Sequence, residues 1–140
     1  MIRVVLDTNV VVSAALSTDG APAAVLDLAL GKHILMLVTP AMLAEYEKVL
    51  QYPKLKLDPA RIAAFLSDIR QASLSVTTRR TLSISRDESD NRFYECAEYG
   101  SADYIVTGNI RHFPVRHKKT EIVTPSEFIA LIALDLARGE

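Results

Sequence analysis

Cysteine and excess charge are both scarce in this chain of 140 residues. Cys96 is the one cysteine, which excludes an internal disulfide and a zinc cage built from cysteines. Lysine and arginine number 16 against 17 aspartate and glutamate residues, which gives a formal net charge of −1. We therefore expect a protein of the reducing cytoplasm, in which contact with a polyanion depends on a local basic patch rather than on global charge.

Long hydrophobic runs, targeting signals and glycine-rich loops are also lacking. No apolar run approaches the roughly 20 residues that span a bilayer, and the N-terminus lacks the pattern of a signal peptide, so we expect no membrane association. Neither GxxxxGK[ST] nor GxGxxG occurs, which disfavours a small-molecule nucleotide-binding protein. The chain shows no repeat or linker, and 49% of its residues are hydrophobic, which predicts a single domain over residues 1–140.

Strand and helix patterns alternate along the chain. β-Branched and aliphatic runs predict strands at 2–7, 33–39, 73–77, 102–109 and 120–124. Apolar residues at helical spacing predict helices at 10–16, 22–32, 41–51, 60–73, 91–100 and 127–137. This alternation indicates an α/β protein in which helices lie on both sides of a parallel sheet.

Capping residues indicate where several of these helices begin and end. Residues typical of helix starts are Thr39 with Pro40, Asp58 with Pro59, Asp90, and Thr124 with Glu127 as a capping box. At the other end, we expect Gly31 to be the C′ residue of the second helix, and Gly100 to stop the helix that follows Asp90.

Three acids and one amide fall near the predicted strand ends. Asp7 ends the first strand after an apolar lead-in, and Glu45 lies in the helix after the second strand. Asp90 begins a later helix, and Asn109 ends the fourth strand. Ligands of parallel sheets bind beyond the carboxyl ends of the strands, so these four side chains can converge. Carboxylates without a nearby thiol suit Mg²⁺ or Mn²⁺ rather than Zn²⁺, and the chemistry that follows is phosphodiester hydrolysis.

Each of these residues also has a simpler interpretation. Asp7 can be a turn or helix-cap residue, although an ionised Asp after a buried strand usually has a partner. Glu45 alone resembles an exposed helical glutamate, and Asp90 fits an N-cap in a solvated acidic run. Asp87 is either a solvated loop residue or one that orients a ligand. On the residues alone, these alternatives remain open.

Four stretches together resemble one family, the PIN-domain nucleases. These stretches are "LDTNVVVSAAL", "AEYEKVL", "DESDNRFYECAEYGSADYIVTGN" and "RHFP", and they occur in the family's order from end to end. The chain is most similar to the bacterial, VapC-like members that act as toxins of toxin–antitoxin pairs. The resemblance implies a three-layer α/β/α domain with a mostly parallel central sheet of four to five strands. It also implies Mg²⁺- or Mn²⁺-dependent cleavage of RNA.

The resemblance assigns roles to individual positions. The three family acids match Asp7, Glu45 and Asp90 as metal ligands. Many members have an aspartate where this chain has Asn109, so we expect Asn109 to assist catalysis and the affinity for free Mg²⁺ to be weak. The residues expected to support or orient the ligands are Thr8, Asn9, Asp87 and Thr107.

The positive charge that RNA binding requires is clustered in the segment "RHFPVRHKK". We expect Arg111 and Arg116 to contact the RNA backbone, although lysine-rich loops are often only solvated. The resemblance further implies an antitoxin partner, and a homodimer because family members often pair. The alternative to a nuclease is a catalytically weak or inactive PIN-like module that binds RNA or protein. A phosphatase with an aspartyl nucleophile is disfavoured, because Asn9 stands where that chemistry usually needs a second Asp.

Overall fold

The computed structural model describes residues 1–113 and 116–138. Within these residues the strands are β1 (Arg3–Leu6), β2 (Leu35–Val38), β3 (Leu74–Ser75), β4 (Tyr104–Val106) and β5 (Glu121–Val123). The α-helices are α1 (Thr8–Leu16), α2 (Ala21–Leu30), α3 (Pro40–Leu50), α4 (Pro59–Ala72), α5 (Glu88–Gly100) and α6 (Pro125–Ala137). Short 3-10 helices lie at Pro53–Leu55 and Ile110–His112.

All five strands join one parallel sheet in the order β3-β2-β1-β4-β5. The central strand β1 begins with the partly buried Arg3 and continues with Val4, Val5 and Leu6, which are fully inaccessible to solvent. A strand that is covered on both faces by helices has no reason to alternate apolar and polar residues, which explains this continuous run. The predicted α/β class and parallel sheet are confirmed.

Helices lie on both sides of the sheet. α5 packs against β1, β2 and β4, whereas α1 and α6 both contact α2. On α5, Phe93 and Tyr94 meet Phe113 edge-on, with ring centroids 5.9 and 5.4 Å apart. These offset aromatic contacts fill the space beside the fourth strand with buried apolar surface. The predicted three-layer α/β/α arrangement is confirmed.

Among the described residues, no single helix is long and apolar enough to cross a membrane. Only α1 and α2 taken together meet that criterion of length and composition, and the pair is bent by 98°. Both helices contribute residues to the hydrophobic core, Val10 and Val11 from α1 and Val25 and Leu26 from α2.

The alignment of β1 with β4 determines which residues meet beyond the sheet. Leu6 is paired with Val106 at the carboxyl ends of these adjacent strands. Asp7 and Thr107 follow directly, so parallel pairing brings the two side chains to the same edge. Asp7 also continues the pairing, because its backbone N–H donates to the carbonyl of Val106 at 2.9 Å.

The expected C′ position of α2 is wrong by one residue. Gly31 has φ −80°, whereas Lys32 has φ +58° and takes the left-handed conformation. The N–H of Lys32 donates to Ala29, and the N–H of His33 donates to Leu28, at 3.0 and 2.9 Å. This is a Schellman ending, so these hydrogen bonds compensate for a left-handed non-glycine residue.

The expected boundaries of α5 also need correction. The N-cap is Asp87 rather than Asp90, because the Asp87 carboxylate accepts a hydrogen bond from the N–H of Ser89 at 3.1 Å. Asp90 instead lies in the first turn. At the other end Gly100 is the last helical residue, but Ser101 takes the left-handed conformation, with φ +54°. By contrast, the capping residues Thr39 and Thr124 with Glu127 are confirmed by their hydrogen bonds.

Gly100 is required by packing rather than by its backbone angles. A Cβ atom there would lie 2.7 Å from Cδ1 of Leu37 and 2.9 Å from Cγ2 of Val76, both in the core. We expect Gly100→Ala to lower the free energy of unfolding by about 1–2 kcal/mol, because overpacking outweighs the better helix propensity of alanine. Thermal denaturation would measure this loss. The control Gly31→Ala should cost less, since its Cβ would lie 3.0 Å from the exposed ring of His33 and 3.2 Å from the carbonyl of Asp27, with no core side chain as close. Equal loss in both variants would contradict the packing argument.

The third predicted strand is much shorter than expected. Residues 73–77 were expected to form it, but only Leu74 and Ser75 pair with the sheet, and both are exposed. Leu74 pairs with Leu37 at the outer edge of β2. Edge strands are commonly short, because an unpaired edge is a template for unwanted association.

Candidate active site

A groove of about 440 Å³ lies beyond the carboxyl end of β1. Four acids from three separate parts of the chain line it: Asp7, Glu45, and Asp87 with Asp90. The other polar and charged lining residues are Thr8, Asn9, Ser13, Ser89, Tyr52 and Lys54, and the apolar ones are Val12, Val49 and Leu55. The groove therefore brings the three predicted ligands Asp7, Glu45 and Asp90 together with three of the predicted supporting residues.

Asp7 lies at the junction between β1 and α1. Its side chain is 5% exposed, and Oδ1 accepts the N–H of Thr8 at 2.7 Å, which makes Asp7 the N-cap of α1. Oδ2 accepts the hydroxyl of the fully buried Thr107 at 2.8 Å. Charge-assisted hydrogen bonds and the positive end of a helix both favour an ionised carboxylate. The helix-cap interpretation of Asp7 is thus correct, and it coexists with a place in the groove.

Glu45 is connected to Asp7 through Thr8. The buried hydroxyl of Thr8 donates to Oε2 of Glu45, so Thr8 contacts both acids, Asp7 through its backbone N–H and Glu45 through its side chain. The next residue, Tyr46, is fully buried, and its hydroxyl donates to the carbonyl of Leu6 at 2.5 Å. Burial, and after it electrostatic interaction with Cys96, Asp7 and Glu45, raises the pKa of Tyr46 well above its ordinary value. Tyr46 thus remains a neutral donor that fixes α3 against the end of β1.

Asp87 and Asp90 both belong to the start of α5. Asp87 is exposed, and its Oδ1 accepts both the N–H and the hydroxyl of Ser89, at 3.1 and 2.7 Å. Asp90 is only 6% exposed, and it lies in the first turn of the helix, where it lines the groove. The unpaired N–H groups and the dipole at a helix start stabilise negative charge in this turn. α5 can therefore tolerate two carboxylates here.

Two residues of α5 hold the irregular segment 79–87 in place through hydrogen bonds. Neither residue was assigned a role from the sequence. Asn91 is fully buried and its Oδ1 accepts the N–H groups of Ile84 and Ser85, at 3.0 and 2.7 Å. Glu95 is 6% exposed and its Oε2 accepts the N–H of Leu82 at 2.9 Å. Both lie in the stretch "DESDNRFYECAEYG". The sequence signal that could have identified them is a polar residue on the face of a helix that packs inward.

Asn109 lies near Asp7 but does not line the groove. Its N–H donates to the hydroxyl oxygen of Thr107 at 3.0 Å, and that hydroxyl donates to Asp7. Its side-chain Oδ1 accepts the N–H of Arg111 at 3.1 Å, which caps the following 3-10 turn. Asn9 links the same loop to α1, because its Oδ1 accepts the N–H of Gly108 at 3.0 Å. Asn109 is thus placed to position Thr107.

The basic segment after Asn109 is largely paired with acids. Oε1 of Glu98 lies 2.9 Å from Nζ of Lys118 and 2.7 Å from Nε2 of His117. These hydrogen bonds, that from Lys118 first, hold the pKa of the Glu98 carboxyl below its ordinary value. Arg111 and Arg116 are exposed and neither lines the groove, and Nη2 of Arg116 lies 3.7 Å from Oε1 of Glu121. Pro114 and Val115 of this segment lie outside the described residues.

The acids of the groove have the chemistry of a Mg²⁺ or Mn²⁺ site. Among the residues described, no three Asp, Glu, His or Cys side chains are arranged to hold a metal ion by themselves. Mg²⁺ does not require such a cage, because it commonly keeps several waters and uses one or two carboxylates together with substrate phosphates. Zn²⁺ needs three or four direct ligands, often His or Cys, and neither residue type lines the groove. The lining residues therefore fit a hard cation that is bound partly through water and substrate.

Cys96 does not contribute to this chemistry. It is fully buried in α5, and burial raises the pKa of its thiol to about 12. A thiol with that pKa is neutral near pH 7, so it is neither a nucleophile nor a metal ligand there. The residue belongs to the core, as expected for a free cysteine in an apolar environment.

A larger groove of about 930 Å³ lies at the opposite end of the sheet. It is lined by Met1, Ile2, Leu28, His33, Ile34, Asp103, Tyr104, Ile132 and Asp135. Size alone does not identify a site, and ligands of parallel sheets bind at the carboxyl ends of the strands. The smaller groove with four acids is therefore the candidate active site.

Comparison with known proteins agrees with the fold and the sequence motifs. Residues 3–111 match the PIN domain family, and this range includes Asp7, Glu45, Asp90 and Asn109. A protein of Methanocaldococcus jannaschii, described as uncharacterized, is 30% identical, with 91% of this chain and 90% of that protein aligned. PIN domains have a nuclease-type fold. Because the match spans well over half of the chain, this protein belongs to the PIN domain family.

Proposed function

We propose that this chain is a metal-dependent endoribonuclease that hydrolyses phosphodiester bonds of RNA. One observation carries the proposal: acids from three distant parts of the sequence, Asp7, Glu45 and the pair Asp87 and Asp90, line one groove at the carboxyl end of the sheet. Acids placed together repel one another, so their convergence is costly unless a cation is bound among them. The nuclease-type fold of the family supports the same conclusion.

Asp7, Glu45 and Asp90 are the residues that would bind Mg²⁺ or Mn²⁺. When bound, the ion supplies positive charge that neutralises the phosphate and promotes ionisation of water. Thr8 and Thr107 fix the two acids that they contact, because each donates its hydroxyl to a carboxylate oxygen. A carboxylate of the groove can accept a proton from the attacking water. Asn109 acts through Thr107, whose hydroxyl oxygen it contacts.

Arg111 and Arg116 are proposed to contact the RNA backbone outside the groove. Both are exposed, and the pair formed by Arg116 with Glu121 is between side chains that are 63% and 52% exposed. Such surface ion pairs contribute little stability and are readily exchanged for a phosphate. Lys118 and His117, in contrast, are paired with the less exposed Glu98.

The test of the proposed function is cleavage of a mixed panel of single-stranded and structured RNAs by the purified chain. We expect cleavage with Mg²⁺ or Mn²⁺, and none with a chelator. Cleavage that persists in chelator would contradict metal dependence. If no RNA is cleaved under any of these conditions, the nuclease proposal is wrong and a PIN-like binding module takes its place.

Affinity for Mg²⁺ alone is expected to be weak, on the order of millimolar, because the ion is bound partly through water and substrate phosphate. Titration calorimetry with Mg²⁺ on the free chain, and again with a non-cleavable RNA analogue present, measures the difference. We expect detectable heat mainly in the presence of the analogue. Tight binding of two ions to the free chain would show that the groove forms a complete metal site by itself.

The resemblance to toxin members supports a more specific proposal, that this nuclease is the toxin of a toxin–antitoxin pair. An antitoxin would then block the groove by inserting a basic side chain among the four acids, and two copies of the chain would form a homodimer. Induced expression should arrest growth of a bacterial host, and Asp7→Asn should abolish that arrest. Growth that continues while the expressed chain remains an active nuclease would contradict the toxin role.

A further inference from the structure

The larger groove, at the amino ends of β1, β2 and β4, has no part in the proposed chemistry. We call it the amino-end groove, and its lining is the set of nine residues given above. Ile2, Leu28 and Ile132 are only partly buried against the core, and Met1 is 79% exposed. Apolar side chains that stay accessible next to one another mark a surface that a binding partner can cover.

Two carboxylates give the amino-end groove a negative charge. Asp103 and Asp135 line it together with the exposed His33, and none of the described lining residues is lysine or arginine. The N–H of Arg3 donates to Oδ2 of Asp103 at 2.8 Å, which orients that carboxylate. Nζ of Lys119 lies 3.4 Å from Oδ1 of Asp103, but these side chains are 57% and 39% exposed, so the pair is readily exchanged for another cation. Asp135 takes part in none of the ion pairs among the described residues.

Tyr104 lies close to the same carboxylates. Its ring packs edge-on against Phe128, with ring centroids 5.5 Å apart, and strand pairing places Glu121 opposite it on β5. Burial first, and then the charges of Glu121, Asp103 and Asp135, raises the pKa of the Tyr104 hydroxyl above its ordinary value. A cation that enters the amino-end groove beside Tyr104 is therefore attracted by several carboxylates at once.

The form of the amino-end groove favours a polypeptide segment over a small molecule. Small-molecule sites have volumes of roughly 300–1,000 Å³ and enclose most of the surface of the ligand. The amino-end groove, at about 930 Å³, is near the top of that range and is open, because both Met1 and His33 are exposed. Its lining comes from α2, α6 and the starts of three strands, so a segment that lies across it contacts several elements. Amphipathic helices bind open apolar grooves in this way, through side chains on one face.

We propose that the amino-end groove binds a helical segment of a partner protein that carries lysine or arginine beside an aliphatic face. The aliphatic side chains cover Ile2, Ile34 and Ile132, and the cationic ones pair with Asp103 and Asp135. The amino-end groove and the groove with the four acids lie at opposite ends of the sheet and share no lining residue. The partner therefore leaves the four acids uncovered, and this inference does not depend on the proposed function.

Isoleucine methyl signals in NMR spectra distinguish the two grooves. Ile2, Ile34 and Ile132 line the amino-end groove, and none of the described isoleucines lines the groove with the four acids. The probe is a synthetic helical peptide of roughly two heptads, with leucine on one face and lysine on the other. Two counterpart peptides have glutamate in place of lysine, or alanine in place of leucine. We expect saturable shifts of the three signals with the leucine–lysine peptide, and at least roughly tenfold weaker binding of each counterpart.

A double variant tests the two carboxylates. Asp103→Asn combined with Asp135→Asn should weaken binding of the leucine–lysine peptide roughly tenfold, because both charge pairs are lost. Asparagine still offers an oxygen to the N–H of Arg3, so the fold should be kept. The matched control combines Asp19→Asn with Asp68→Asn, which are exposed and line neither groove, and it should retain the affinity. RNA cleavage by the first double variant should equal that of the unmodified chain.

Several results would overturn the inference. These are no saturable shift of the three isoleucine signals, equal binding of a counterpart peptide, or equal affinity of the two double variants. Signals that shift with the concentration of the chain alone would show that a second copy occupies the amino-end groove. Equal shifts with a small amine such as spermidine would show a small-molecule site instead. The expected peptide binding would support the inference even if the chain never cleaves RNA, so the two proposals fail separately.

Discussion

Replacing Asp7 by Asn should lower RNA cleavage by on the order of 100-fold or more, because it removes a negative charge and a hard oxygen ligand at the reacting phosphate. The change should leave the fold intact. Asn caps helices about as well as Asp, so the hydrogen bond from Thr8 to the side chain at the start of α1 can be kept. Removal of one of the neighbouring carboxylates also reduces repulsion in the chain without metal, so its melting temperature should be unchanged or higher.

The measurement pairs cleavage rates in Mg²⁺ with thermal denaturation in chelator. Asp58→Asn is the matched control: Asp58 precedes α4 as its N-cap, makes no capping hydrogen bond and does not line the groove. This control should cleave RNA at the original rate. Cleavage by Asp7→Asn at the rate of the unmodified chain would mean that the activity originates elsewhere or in a contaminant. A large fall in melting temperature would instead indicate that Asp7 acts mainly through the fold.

Replacing Asn91 by Ala should destabilise the chain by about 3 kcal/mol and lower its melting temperature by roughly 10 °C. Asn91 is fully buried and accepts two backbone N–H groups through Oδ1. Its Nδ2 donates to the carbonyl of Ser85 at 3.1 Å and to Oε2 of Glu88 at 3.3 Å. Alanine would leave the backbone groups of Ile84 and Ser85 without these partners, and a buried polar group without a partner is costly.

The same substitution should lower activity, because the segment held by Asn91 leads directly to Asp87 and Asp90. Hydrogen exchange of residues 82–87, compared with the central strand β1, would show whether the loss of order is local. The control Gln71→Ala removes an exposed amide on α4 that donates only to Ser67, at 3.3 Å, and should change stability by less than about 0.5 kcal/mol. Equal melting temperatures of Asn91→Ala and the unmodified chain would show that the loop is held by other contacts.

Local signals were enough to predict most of the elements. Thr39, and Thr124 with Glu127, start helices because the side chain bonds to backbone only three residues away. Apolar runs such as residues 2–7 predicted strands, because a strand that is buried on both faces requires a continuous apolar run. Local signals failed where two residues can begin the same helix at a similar free energy. Asp87 and Asp90 can each cap α5, and tertiary packing of Asp90 into the groove decides between them.

The second group of failures involves residues whose role depends on distant neighbours. Gly100 was expected to end a helix through its backbone freedom, but its small size beside Leu37 and Val76 is what the structure requires. Asn91 and Glu95 looked like ordinary helix residues, and their function depends on the backbone of residues 82–85. No spacing rule within a helix reveals a partner in a loop without regular structure.

The sequence by itself determined the α/β class, the order of the elements and the position of Asp7 at the end of a buried strand, because these depend on local pattern and composition. The PIN resemblance added Glu45 and Asp90 as companions of Asp7 only by analogy of motif, and both line the groove with Asp7 in the structure. Only the tertiary structure decided that Asn109 lies outside the lining of that groove and that Tyr52 and Lys54 line it. The reason is physical: strand register and helix packing bring together Asp7, Glu45 and Asp90, which are 38 to 83 positions apart, and no local interaction encodes that proximity.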